Sequence, residues 1–123
     1  MLKQAEVEAP IEACGILAGK DGMVKELYKM TNTNRSSDHF MMEPKEQFTV
    51  VKDIRLSGLE MLAIYHSHPI TPARPSDEDI RLALTPNITY IVVSLQDSAG
   101  PVIKGFLIQG SDITEVPVKI LRG

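Results

Sequence analysis

Residues 62–79 read Leu62-Ala63-Ile64-Tyr65-His66-Ser67-His68-Pro69-Ile70-Thr71-Pro72-Ala73-Arg74-Pro75-Ser76-Asp77-Glu78-Asp79, and the character of the chain changes twice within them. Leu62 to Tyr65 is a short apolar run of strand type. Pro69, Pro72 and Pro75 then stiffen a non-repetitive loop, and Ser76-Asp77-Glu78-Asp79 before Ile80, Leu82, Ala83 and Leu84 opens a capped helix. Strand, rigid loop and helix in that order belong to an α/β design.

Working outward, the flanks fit the same class. On the N-terminal side, residues 2–9 form a short helix stopped before Pro10, and apolar Ala13 to Ala18 turns through Gly19-Lys20-Asp21-Gly22 into Met23 to Met30. An Asp-Gly pair between two such runs predicts a β-hairpin. Thr31 to Asp38 is a polar loop, and Pro44 opens a helix with Phe48, Val51 and Ile54 at helical spacing and Gly58 as its stop. On the C-terminal side, Ile88 to Leu95 is rich in β-branched residues and reads as a central strand. Two turns then separate Val102 to Ile108 from Ile113 to Leu121. The whole chain, residues 1–123, is expected to be one α/β domain, a mixed β-sheet with flanking helices.

Strand geometry also gives the histidines a meaning. Residues two apart point to the same face, so His66 and His68 present two imidazoles at the end of a buried strand, a two-point metal clamp. A bare His-x-His is more often accident than site. Asp79 shifts that balance, because the stiff loop is short enough to return it to the strand end. Two His and one carboxylate leave a fourth tetrahedral position for water, as in catalytic zinc sites. Ser76 and Asp79 equally fit a helix capping pair, and both descriptions can hold at once.

A metal-activated water also needs a proton acceptor. Glu6, Glu8, Glu26, Glu43, Glu46, Glu60, Glu78 and Glu115 lie in polar surroundings and read as solvated surface. Glu12, between Ile11 and Ala13 at the entrance to an apolar strand, is the best general-base candidate, since a carboxylate there is costly without a partner.

Composition removes several other classes. Hydrophobic residues are 43% and charged residues 24% of the chain, which argues against disorder. Lys plus Arg number 13 against 16 Asp plus Glu, a net charge of −3 with the basic residues scattered, so no nucleic-acid surface is expected. No apolar run approaches the roughly 20 residues that span a bilayer, and no secretory signal is visible, so no membrane partner and a cytoplasmic location are expected. Without that signal, the sequons at Asn34 and Asn87 are chance matches. The single Cys14 excludes an intrachain disulfide and thiolate-rich zinc sites, and its apolar neighbours predict a buried, inert thiol. Gly15 to Lys20 lacks the spacing and hydroxyl residue of a P-loop, and His-Glu-x-x-His and Cys-x-x-Cys are absent. His39 reads as surface, and Arg74 as exposed or facing a substrate.

Taken together, Glu12, then His66-Ser67-His68-Pro69, then Ser76-x-x-Asp79, match the signature of the JAMM (MPN-plus) metallopeptidases, which the chain resembles. Pro10 to Gly19, Asn34 to Phe40 and Tyr90 to Leu95 are similar to further segments of that family. The resemblance implies the JAMM/MPN fold, distantly shared with cytidine deaminases. It implies one zinc ion held by His66, His68 and Asp79 with a bound water, Glu12 as the base that later protonates the leaving amine, and Ser76 as donor to the oxyanion. It further implies hydrolysis of an amide or isopeptide bond near the C-terminal glycines of a ubiquitin-like protein.

The compact length, Ala73-Arg74-Pro75-Ser76 and Ile113 to Val118 look most like small prokaryotic members, some of which trim a sulfur-carrier protein's C-terminal tail. Only nine residues precede Pro10, where the family has a strand and a fuller helix. The expectation is a shortened or incomplete start with an exposed sheet edge, which leaves an oligomer open. Two alternatives stand beside the peptidase: a catalytically silent MPN-type module that grips a ubiquitin-like tail, and a cysteine hydrolase using Cys14.

Overall fold

The computed structural model describes residues 1–35, 40–76, 79–80, 88–96, 100–110 and 112–118. Among these, helix α1 (Leu2–Glu8) precedes the hairpin β1 (Cys14–Lys20) and β2 (Met23–Met30). Helix α2 (Pro44–Leu56), β3 (Glu60–His68), β4 (Thr89–Ser94), β5 (Val102–Gln109) and β6 (Asp112–Val116) follow. The six strands form one sheet in the order β2-β1-β3-β4-β5-β6. All neighbours are antiparallel except β3 and β4, which run parallel. The mixed sheet is as expected, and β4, buried from Tyr90 through Ser94, lies inside it. The helix expected from Ser76 onward is described only at Asp79 and Ile80; Leu82, Ala83, Leu84 and His39 lie outside the described residues, and the last strand, expected to run from Ile113 to Leu121, stops at Val116 before Pro117, which has no N–H for a ladder.

Local chemistry explains the elements. Asp21 and Gly22 both have positive φ, 54° and 76°, which is the tight turn that joins β1 to β2 with the right twist. Glu43 caps α2 by accepting the Glu46 N–H at 2.7 Å, Pro44 supplies the first helical residue, and Gly58 at φ 71° lets the chain leave. The three apolar residues that marked this helix do not share one environment. Phe48 is 74% exposed and Val51 is also exposed, whereas Ile54 is buried with Val50 packed beside it. The i, i+4 stripe of Val50 and Ile54 faces the sheet, and the Phe48–Val51 stripe, about a third of a turn round the helix, looks outward. Glu43 and Glu46 likewise are not free surface: Glu46 accepts the Thr31 N–H and hydroxyl, both at 2.8 Å, and ties α2 to the end of β2.

Period-two alternation divides the core between the sheet's faces. Leu17, Ala63, Tyr65, Ile91 and Val93 pack on one side with Ala5 of α1, while Cys14, Ile16 and Ala18 pack on the other with Ile54 of α2. Gly15 faces Tyr65, and a Cβ there would overlap the tyrosine ring. Tyr65 donates to Gln4 Oε1, and Gln4 Nε2 donates to Cys14 O at 3.0 Å, so α1 is fastened by a buried polar chain. His66 and His68 share the parity of Ile64 and emerge on the α2 face.

Candidate metal centre and active site

β3 delivers His66 and His68, which are 2% and 3% exposed, at its C-terminal end, beyond the apolar Leu62–Tyr65 run. The loop then returns Asp79 to them. His66 Nε2 lies 2.9 Å from His68 Nε2 and 3.0 Å from Asp79 Oδ2, and His68 Nε2 lies 3.2 Å from the same oxygen. Donors about 2.0–2.1 Å from a tetrahedral zinc are about 3.3 Å apart, so this triangle has nearly the edge a zinc ion requires. The tautomer of His68 is also suited: Nδ1 donates to Pro72 O at 2.9 Å, leaving the Nε2 lone pair aimed at the triangle. A cation would match three electron-rich atoms that converge this closely in a buried place, and the residues fit zinc.

The proline loop is held by hydrogen bonds of its own. Pro72 O also accepts the Arg74 N–H at 2.9 Å, and Ser94 Oγ donates to Thr71 O at 2.5 Å. The Leu95 N–H donates to His68 O at 3.0 Å, tying β4 to the last residue of β3. On the other side of the triangle Phe40 stacks on the His66 ring with centroids 4.6 Å apart. His66 Nδ1 has no hydrogen-bond partner among the described residues, so its orientation rests on that stacking and on the contacts of Nε2.

Electrostatics differ among the three groups. Burial pushes His66 below its ordinary value and favours the neutral ring. For His68 burial acts the same way, but the Asp79 carboxylate and the Pro72 carbonyl outweigh it and raise the value. Burial opposes ionisation of Asp79, yet its contacts to both imidazoles and to the Ser76 N–H hold it well below the usual carboxylate range. Asp79 is therefore held as an anion.

Ser76 and Asp79 form the reciprocal cap expected of them. Ser76 N–H donates to Asp79 Oδ2 at 2.8 Å and Asp79 N–H donates to Ser76 Oγ at 3.1 Å. The cap fixes the Asp79 oxygen that faces the histidines, and the serine hydroxyl, which only accepts in that bond, keeps its own proton to donate. Ser76 is exposed and lines a cavity of about 250 Å³ together with Glu12, His68, Thr71, Pro72, Arg74 and Pro75. Arg74, Pro75 and Ser76 also border a wider groove of about 620 Å³ against Phe106 and Ile113.

Glu12 is brought to the same sheet end by β1, which begins opposite His66. It is 3% exposed, and it offers a carboxylate oxygen that lies, with one nitrogen from each of His66 and His68, in a group no more than 4.8 Å across. All five residues expected from sequence thus meet at one sheet end. Cys14 does not join them as a nucleophile: it is wholly buried, its Sγ donates to Met30 O at 3.8 Å, and burial pushes the thiol up to about 12. That removes the cysteine-hydrolase alternative.

Sequence reasoning missed Ser67, Asn32, Phe40 and the Pro72 carbonyl. A signal existed for Ser67, since a polar residue between two inward-facing histidines must point into the opposite apolar face and find a partner there. Asn32, in a stretch read as polar loop, gave none; it is 3% exposed.

Residues 1–104 match the family model of prokaryotic homologues of the JAB domain. Over 124 aligned residues the chain is 33% identical to the CysO-cysteine peptidase of Mycobacterium tuberculosis, covering 99% of this chain and 85% of that protein. The solution structure of a protein from Desulfitobacterium hafniense superposes with a TM-score of 0.84 at 47% identity, over 94% of this chain and 82% of that one. The crystal structure of a JAB1/MPN domain protein from Archaeoglobus fulgidus has the same fold, with a TM-score of 0.64 at 23% identity over 98% of this chain and 90% of that one. No helix among the described residues is long and apolar enough to cross a membrane.

Proposed function

The chain belongs to the family of prokaryotic homologues of the JAB domain, and from that premise we propose that it is a zinc-dependent peptidase cutting an amide or isopeptide bond at the C-terminal tail of a ubiquitin-like or sulfur-carrier protein. The observation that carries this reading is the triangle of His66 Nε2, His68 Nε2 and Asp79 Oδ2, with edges of 2.9, 3.0 and 3.2 Å and Glu12 beside it. Those three atoms would hold the zinc ion. When bound, the ion supplies Lewis acidity, which acidifies water and polarises a carbonyl.

The protein's own groups do the rest. Glu12, held dry at 3% exposure, accepts the proton of the attacking water and returns it to the leaving amine. The Ser76 hydroxyl donates to the scissile carbonyl oxygen as charge grows there, while its oxygen stays anchored to the Asp79 N–H at 3.1 Å. Pro72 O keeps His68 in its ligand tautomer. The cavity of about 250 Å³ admits a narrow extended tail rather than a folded surface, and Arg74 lies between it and the wider groove, where such a tail would pass. Kinship with a CysO-cysteine peptidase supports a small carrier protein with a C-terminal amino-acid adduct as substrate.

The test pairs metal analysis with hydrolysis. The full chain, purified with zinc supplied, is assayed for zinc by elemental analysis and incubated with a carrier protein bearing a C-terminal amino-acid adduct, the products being weighed by mass spectrometry. One zinc per chain and release of the adduct are expected. A chain that takes up no zinc sinks the reading, and a zinc-loaded chain that binds the tail without cutting it is the silent module instead.

A further inference from the structure

The peptide group joining Glu12 to Ala13 has one acceptor and one donor, and a buried side chain takes each. Asn32 Nδ2 donates to Glu12 O at 3.0 Å, and Ser67 Oγ accepts the Ala13 N–H at 2.7 Å. Asn32 is 3% exposed and Ser67 1%. We propose that Asn32 and Ser67 are positioning residues that clamp this peptide from both sides and thereby aim the Glu12 carboxylate at the two histidines. The proposal rests on the reading of Glu12 as the proton carrier.

The register explains why a clamp is needed. The β1–β3 ladder ends at Cys14 opposite His66, so Glu12 stands beyond the last regular pair, where strands fray. In a regular antiparallel ladder the next residues, Ala13 and Ser67, would exchange both backbone bonds. Ser67 N–H does donate to Ala13 O at 2.9 Å, but the Ala13 N–H goes to the serine hydroxyl. The side chain continues the ladder while the backbones part. Glu12 keeps the parity of Cys14, which places it on the face of His66 and His68.

The other anchor leads to the same histidines. Asn32 Oδ1 accepts the Asn34 N–H at 3.0 Å and the Met41 N–H at 3.1 Å, and Asn32 forms an isolated bridge with Met42. The residue before Met41 is Phe40, which stacks on His66. One end of the Glu12 peptide is therefore tied to the segment that covers the first imidazole, and the other to the residue between the two imidazoles. A misplacement of about 1 Å in such a site can cost about 100-fold in rate.

The test uses Ser67→Ala, which removes the acceptor, Asn32→Asp, which removes the donor at nearly constant shape, and Ser67→Thr, which keeps the hydroxyl. Zinc content, kcat, KM and the hydrogen exchange of the Ala13 amide by NMR are measured on each full chain. Ser67→Ala is expected to retain zinc, to lose about 30- to 100-fold in kcat with KM within about twofold, and to exchange the Ala13 amide at least about tenfold faster. Asn32→Asp should lower kcat alone in the same way, and Ser67→Thr should restore both readouts. Unchanged protection of the Ala13 amide in Ser67→Ala, full kcat in Ser67→Ala or Asn32→Asp, or loss of zinc in step with kcat each overturns the clamp. A native zinc-loaded chain that hydrolyses nothing overturns the peptidase reading instead, and the exchange result then decides the clamp by itself.

Discussion

Replacing Glu12 by Gln separates the metal from the proton. The change keeps shape and volume but removes the ability to accept a proton, at a position only 3% exposed where bulk water cannot easily substitute. The triangle of His66, His68 and Asp79 should stay intact, because its three atoms contact one another directly and Gln keeps the shape of Glu12. Zinc content should stay within experimental error of the native chain. A positioned general base contributes about 10²- to 10⁴-fold, and one carboxylate here would serve both the water and the leaving amine. The loss should therefore lie near the upper end, about 10³- to 10⁴-fold in kcat, or about 4–5.5 kcal/mol of barrier. Stability should not fall, since an amide is less costly to bury than a carboxylate. Elemental analysis, a thermal melt and mass-spectrometric hydrolysis of a carrier tail measure the three quantities on one preparation. Hydrolysis within about threefold of native would refute the argument that Glu12 carries the proton, and loss of zinc would refute the assignment of the ligand set.

Other outcomes follow from the same geometry. His68→Ala removes one corner of the triangle and should abolish stoichiometric zinc binding by elemental analysis, with hydrolysis lost together with the metal. Arg74→Ala, at an exposed residue bordering both cavities, should raise KM for a carrier tail about tenfold with kcat unchanged; an unaltered KM would remove Arg74 from the tail path. Gly15→Ala forces a methyl group into the Tyr65 ring and should cost at least about 1–3 kcal/mol in denaturant unfolding. For Cys14 the folded thiol is raised from 9.0 to about 12, so between those values the unfolded chain releases a proton that the folded chain keeps. Stability should fall with rising pH across that window, by up to about 1.4 kcal/mol per pH unit from this group, and Cys14→Ala should lessen the slope, most clearly below the range where Tyr28 and Tyr65, both also raised from 10.0, contribute.

The residues that make the elements were legible because their signals are local. An Asp-Gly turn, a proline at a helix start and a β-branched run act over a few positions, and β1, β2, α2 and β4 lie where those signals put them. The side of α2 that faces the sheet was not legible. Phe48, Val51 and Ile54 and the pair Val50 and Ile54 are both acceptable helical stripes, and only the tertiary contact with Met30 and Ile16 selects the second. At the site, the side chains that carry charge announced themselves, since two histidines and a buried carboxylate are costly without a purpose. The groups that hold them were silent: Asn32 is one asparagine in a polar loop, and Pro72 acts through its carbonyl, which every residue possesses.

Sheet topology accounts for why so distant a carboxylate can serve these histidines. β3 stands between antiparallel β1 and parallel β4. A parallel neighbour requires a crossover, so the chain must leave the end of β3 at His68 and pass over that end before β4 begins. The loop bearing Pro72, Ser76 and Asp79 is that departure. The antiparallel neighbour requires the reverse, that β1 begin where β3 ends, which puts Glu12 just ahead of Cys14 at the same rim, beside Ala13, whose partner Ser67 is 54 positions away in sequence. A strand with two antiparallel neighbours linked by hairpins would receive turns at this end rather than a long loop, and one with two parallel neighbours would place the start of both far from it. The mixed surroundings of β3 bring Glu12 to the histidines from one side and Asp79 from the other. They also fix which face each occupies, because a slip of one residue in either register would turn Glu12 or both histidines to the opposite side of the sheet.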